Sequence, residues 1–174
     1  MNHTLSETHN EDTYIQELQT ILYNELTANW GTSKLDAYGR VYKSEKNSKV
    51  LPQVFDAATR NYKTVFYNGQ SCFFFIDDDN HVIEDEQHEF TTEVKIVFML
   101  NLSDLKTATE RADADVKKDI LKVLTKYDYH YNVKSYITGV NNVLRGFDTE
   151  RLKEPDMQPY HVLAFNTEWS YSVI

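Results

Sequence analysis

The sequence predicts an α+β fold: a single domain with a mainly antiparallel sheet, two helices packed on one face and an extended acidic loop. Three observations lead there. Apolar residues recur at helical spacing in two stretches, Thr13 to Thr27 and Thr107 to Tyr127. Elsewhere they alternate with period two, as in strands half-buried against a core. At 174 residues the chain suits one domain, and the order helix, strands, helix, strands gathers helices on one side of an antiparallel sheet.

The elements follow in chain order. Residues 1–12 form a flexible polar lead, and residues 13–174 the domain. In the first helix Ile15, Leu18, Leu22 and Leu26 make the apolar stripe, widened by Tyr14 and Ile21, and Trp30-Gly31 closes it, glycine being the usual residue where a chain leaves a helix. Tyr38 to Ser44 and Val50 to Asp56 are expected strands, joined through Glu45 to Lys49; Pro52 suits an edge strand or a strand start because it cannot donate to a ladder. Tyr62 to Tyr67 and Gln70 to Ile76 flank Asn68-Gly69, a type I′ hairpin signal. Asp77 to Phe90 is expected as a long acidic loop or hairpin tip around Val82-Ile83.

Thr92 to Leu102 is the expected central strand. Val94, Ile96, Phe98, Leu100 and Leu102 share one face, while Val97 and Met99 make the other apolar too. The second helix opens on a Thr107/Glu110 capping box and carries Ala112, Val116, Ile120, Leu124 and Tyr127 as its stripe. Its acids Asp113 and Asp115 lie early and its lysines 117, 118, 122 and 126 late, complementing the helix dipole. Val133 to Leu144 is expected as a strand bent at Gly139, and Arg145 to Pro155 as a charged connection. His161 to Ile174 closes the fold, with Leu163, Phe165, Trp169, Tyr171 and Val173 facing the core.

Composition narrows function. With 41% hydrophobic and 26% charged residues the chain is an ordinary globular protein. The longest apolar runs, Cys72 to Ile76 and Ile96 to Leu100, fall far short of the roughly 20 residues that span a bilayer. Met1 to Thr13 has no basic or apolar leader, so no signal peptide is expected, and a lone cysteine fits a reducing cytosol. Net charge is −9, and the stretch from Thr64 to Val94 has eight acids and no Lys or Arg. Groove-type or sequence-specific nucleic-acid binding, which needs a basic footprint, is disfavoured; repulsion of DNA from a channel wall is not.

Signatures of catalysis are missing from the sequence. It has no Gly-rich phosphate loop, G-x-S-x-G, H-E-x-x-H or C-x-x-C, so no catalytic or cofactor-binding residues are assigned. Cys72, beside Phe73, Phe74 and Phe75, reads as a small buried hydrophobe. Asp77, Asp79, His81 and Asp85 space like a calcium loop, and Glu86 with His88 could ligate a transition metal. The sixth and twelfth loop positions are Val82 and His88 in place of Gly and Glu, so a solvated acidic loop is favoured and no metal is expected. His130 and His161 have no second ligand at useful spacing. The 23 aromatic residues are mostly at core-facing strand positions.

The layout resembles the tail-terminator (tail-completion, or neck) proteins of long-tailed bacteriophages. The resemblance is carried by the helix Tyr14 to Leu26, the strands Tyr38 to Lys43 and Thr92 to Leu102, the helix Thr107 to Tyr127, and Asp156-Met157-Gln158-Pro159-Tyr160 leading into a strand ending Trp169-Ser170-Tyr171. It covers about the whole chain in element order, and the Asp156 to Tyr160 run resembles small proteins from phages and prophages of Bacteroidetes-type hosts. It implies a non-enzymatic virion protein, assembled in the host cytoplasm, whose subunits form a ring, usually a hexamer. That ring would close the tail tube and join it to the head-tail connector, with DNA passing through its lumen. The alternatives are another neck or connector ring component, or a bacterial adaptor module. The acidic segment matches no family element. Its Asp77, Asp78, Asp79, Glu84, Asp85 and Glu86 are the candidate interaction residues, lining the lumen or docking on a basic neighbour.

Overall fold

A computed structural model describes residues 1–65, 70–85, 88–105, 112–128, 130–152 and 157–173. The expected Asn68-Gly69 turn, the Thr107/Glu110 capping box, Asp156 and Glu86 lie outside these. The chain is one α+β domain built on a sheet ordered β1-β5-β7-β9-β8, with β6 also paired to β7. These strands are β1 Leu35–Arg40, β5 Ser71–Asp77, β6 Val82–Asp85, β7 Glu89–Asn101, β8 Tyr131–Thr138 and β9 Tyr160–Ser172. Helices α1 Glu11–Trp30 and α3 Ala112–Lys126 cover one face, and the short α2, Leu102–Leu105, joins the same core. The lead at Asn2 bridges Ala37 of β1, and Leu5 exchanges two hydrogen bonds with the Gln16 side chain.

Three features differ from the mainly antiparallel, two-helix expectation. First, β1 pairs with β5 in parallel. Parallel neighbours need a long crossover, and here the connection is itself a sheet, β2 Tyr42–Lys46, β3 Lys49–Asp56 and β4 Asn61–Thr64, in the order β2-β3-β4. Pro52 therefore sits in a middle strand. Its carbonyl accepts from Val65 N–H where the β3–β4 ladder ends, so the donor that proline lacks falls at the ladder's last position. Second, the strand expected from Val133 to Leu144 stops at Thr138. Gly139 takes φ +87°, a conformation open mainly to glycine, and starts α4, Val140–Val143. Third, there are four helices among the described residues, and α4 lies on the face opposite α1 and α3.

The long strands are buried on both sides at their centres because each face has its own core there. Phe73, Phe75, Val94, Ile96, Phe98, Leu163, Phe165 and Trp169 pack with Leu22 and Leu26 of α1 and Val116, Ile120 and Leu124 of α3. The alternate residues Cys72, Phe74, Val97, Met99, Val162 and Ala164 pack with Val54 of β3 and Val140 and Val143 of α4. The pairings Phe75↔Ile96↔Phe165 and Phe74↔Val97↔Ala164 run across β5, β7 and β9 and keep the two sets apart. Each fully buried Phe contributes roughly 1.5–3 kcal/mol relative to exposure. Helix α1 ends as its sequence suggests, with Gly31 at φ +62° and both Gly31 and Thr32 donating to the Thr27 carbonyl.

Candidate functional site

The acidic segment is a tight turn and a short strand where an extended loop was expected. Asp77 ends β5 and is only 3% exposed, so it does not project. Its Oδ1 accepts from Thr92 Oγ1 at 2.8 Å and from the Asp79 N–H at 3.1 Å. Asp78 and Asp79 are exposed. Asp78 Oδ1 takes the Asn80 N–H, while Asp79 pairs with Lys43 at 3.2 Å. Glu84, exposed on β6, accepts from Thr91 Oγ1, and Asp85 pairs with Glu89 through the backbone. Glu86 lies outside the described residues.

Where this turn meets the start of α1, ionisable groups from four elements converge. Glu11 and Asp12 occupy the first turn of α1, a position that favours carboxylates. Arg40, at the end of β1, donates to both oxygens of Asp12 at 2.8 and 2.9 Å, which holds its guanidinium pKa above the usual range. Its Nη1 reaches Glu11 at 3.3 Å and Asp77 only at 3.9 Å. His81 places Nε2 2.9 Å from Asp77 Oδ2 and Nδ1 2.5 Å from the Tyr171 hydroxyl. Burial, then the charges of Glu11 and Asp77, push the Tyr171 phenol up to about 12. Tyr171 in turn stacks on Phe90, ring centroids 5.5 Å apart.

One donor atom each from Glu11, Asp77 and His81 lie within 4.8 Å of one another. Of the four residues spaced like a calcium loop, this brings together Asp77 and His81; Asp79 turns to Lys43 instead. Sequence reasoning missed Glu11 and Arg40, because only the fold carries them to the end of β5. The one local signal was the four-residue step from Asp77 to His81.

A second feature lies on the crossover sheet. Tyr42, Phe55 and Tyr62 are 44%, 39% and 48% exposed, and the Tyr62 ring meets the other two edge-on at 5.5 and 5.4 Å. Ile83 on β6 is 67% exposed. Lys117, Lys118, Lys122 and Lys126 are exposed along α3. Among the described residues no helix is long and apolar enough to cross a membrane. The chain matches no family model and no curated protein.

Proposed function

We propose that this chain is a structural subunit of a long-tailed phage virion, a tail-terminator that closes the tail tube and joins it to the connector as a homo-oligomeric ring. The observation that carries the reading is the exposed aromatic face of Tyr42, Phe55 and Tyr62. Clustered exposed aromatics on a small domain mark a protein contact, and aromatic residues are enriched at interface cores. A ring needs head-to-tail contacts between two different surfaces of each copy. The acidic turn and the lysine side of α3 are of opposite sign and lie on different elements, as such a contact requires. A bacterial adaptor module is the second reading, favoured by β8, an edge strand with β9 as its neighbour, where a partner strand could add.

The test is a virion reconstruction, supported by electron microscopy of the purified chain. The expected result is a closed ring at the neck, with the aromatic face buried between copies. Tyr42→Ser with Phe55→Ser and Tyr62→Ser should keep the fold by circular dichroism and lose the ring. A particle with no copies at the neck, or a single isolated copy, overturns the reading.

A further inference from the structure

We propose that Glu11, Asp77 and His81 bind a divalent transition-metal ion of the zinc type, pinning the start of α1 to the end of β5. The site does not depend on the assembly reading. It rests on the two oxygens of Asp77, which have different surroundings. Oδ1 takes the Thr92 hydroxyl and the Asp79 N–H, while Oδ2 is buried and receives no hydrogen bond from the described residues. His81 Nε2 is 2.9 Å from Oδ2, yet that contact fails as a hydrogen bond on direction. A buried carboxylate oxygen left without a donor is costly.

Metal coordination accounts for this arrangement. Two donors each about 2.0–2.2 Å from one ion lie roughly 2.9–3.5 Å apart, depending on the angle between them. The His81–Asp77 separation falls in that window without making a hydrogen bond. In the tautomer whose Nδ1–H donates to Tyr171, Nε2 presents its lone pair, and the same hydrogen bond orients the ring as a second shell does at metal sites. Thr92 and the Asp79 N–H do the same for Asp77. Glu11 completes the set through a side-chain rotation that brings its carboxylate closer. Glu11, Asp12 and Asp77 face one guanidinium, Arg40, already held at both oxygens of Asp12. Among these described residues, and with His81 neutral as a metal ligand must be, two negative charges remain in excess, the amount a divalent cation cancels. One imidazole with two carboxylates suits zinc better than magnesium, which dehydrates reluctantly and prefers all-oxygen sites.

The full chain, stripped with a chelator and dialysed, is titrated with ZnCl₂ by calorimetry, with Co²⁺ absorption as a second readout of nitrogen ligation. One ion per chain should bind and raise the melting temperature, and excess Mg²⁺ should not displace it. His81→Ala and Glu11→Gln should each weaken binding at least tenfold, and Tyr171→Phe by about tenfold through loss of ring orientation. His88→Ala should bind as the parent does. Asp77→Asn is read only if circular dichroism shows it folded; Glu11→Gln, an isosteric change in the first turn of α1, keeps the test open otherwise. Absence of stoichiometric binding overturns the proposal, as does binding that survives both His81→Ala and Glu11→Gln, which would place zinc on other histidines. Failure of ring formation leaves it standing.

Discussion

Trp30, the last residue of α1, donates its indole N–H to Asp119 of α3 across 2.9 Å, joining two helices through residues 89 positions apart in the chain. The ring is buried in the helix-side core, so the bond adds direction to a contact that apolar packing already favours. A hydrogen bond to a charged acceptor is worth roughly 1.5–3 kcal/mol, less where water can replace it. Trp30→Phe should lower stability by about 1–2 kcal/mol in urea titrations with an unchanged m-value. A loss below about 0.5 kcal/mol would show that packing alone holds the pair.

Trp169 is the heaviest anchor on the same side. It stacks on Tyr131 at 5.0 Å, meets Phe75 edge-on, and donates to Thr167 Oγ1 at 2.6 Å. Trp169→Ala should cost about 3–5 kcal/mol or prevent folding. Its neighbour Glu168 is half-exposed and pairs with Lys134 at the surface, so Glu168→Ala should stay within about 0.5 kcal/mol. Equal melting temperatures for the parent and Trp169→Ala would show that the ring is not in the core.

Glu25 of α1 accepts from the Tyr127 hydroxyl at 2.8 Å and Lys126 Nζ at 3.1 Å. Those bonds lower its pKa below the ordinary 4.5. A carboxyl with a depressed folded value adds stability that is fully present above its unfolded value and is lost as pH falls through the folded one. Glu25→Gln should therefore be less stable than the parent at pH 6, and the two should converge at acid pH. A constant difference from pH 6 to pH 2 would assign the effect to something other than this ionisation.

Burial, with a smaller effect of the Asp36 charge, pushes the Cys72 thiol up to about 12. The thiolate is the reactive form. A disulfide reagent at pH 8 should leave the native chain unlabelled over minutes and label one thiol once urea unfolds it. Rapid stoichiometric labelling of the native protein would contradict the buried position.

Neutralising Asp78→Asn, Asp79→Asn and Glu84→Gln together tests the acidic turn. Asn tolerates the φ of +63° at Asp79, and the amide oxygen at position 78 still accepts the Asn80 N–H. The melting temperature should stay within about 2 °C. In a virion, slower DNA ejection would indicate a lumen lining, and failed joining of heads and tails a docking role. Normal yield and ejection would leave the turn with only water as its partner.

The long elements were legible because their periodicity is strong. The stripe Ile15, Leu18, Leu22, Leu26 and the alternation from Val94 to Leu100 each report one neighbour repeatedly, and both fell where expected. The crossover sheet was not legible as such. Tyr38 to Ser44 and Val50 to Asp56 read locally as strands, but nothing in them says that the first divides between β1 and β2 or that the partners of β2 and β3 exclude β1. The Val133 to Leu144 stretch misled because it reads as one run of apolar residues; Val140 and Val143, three apart, share a helix face but not a strand face, and Gly139 at φ +87° starts that helix. The corner of Glu11, Arg40, Asp77 and His81 was least legible, since its members are brought together by the parallel pairing of β1 with β5.

β7 and β9 face each other through thirteen register pairs, and both sides of this ribbon are apolar at its centre. Sliding β9 by one residue would hand every side chain to the opposite face of the sheet. In a sheet wet on one side, such a slip drowns apolar groups and is penalised at once. Here both destinations are dry over residues 162–165, so aversion to water discriminates poorly there and acts only further along, where Asn166, Glu168 and Ser170 alternate with buried residues. The discrimination falls to volume, Ala164 against Phe165, and to Thr167, whose buried hydroxyl donates to the Val94 carbonyl while accepting from Trp169. Thr167 behaves as a detent, a single notch that lets two greasy rails click together in one alignment.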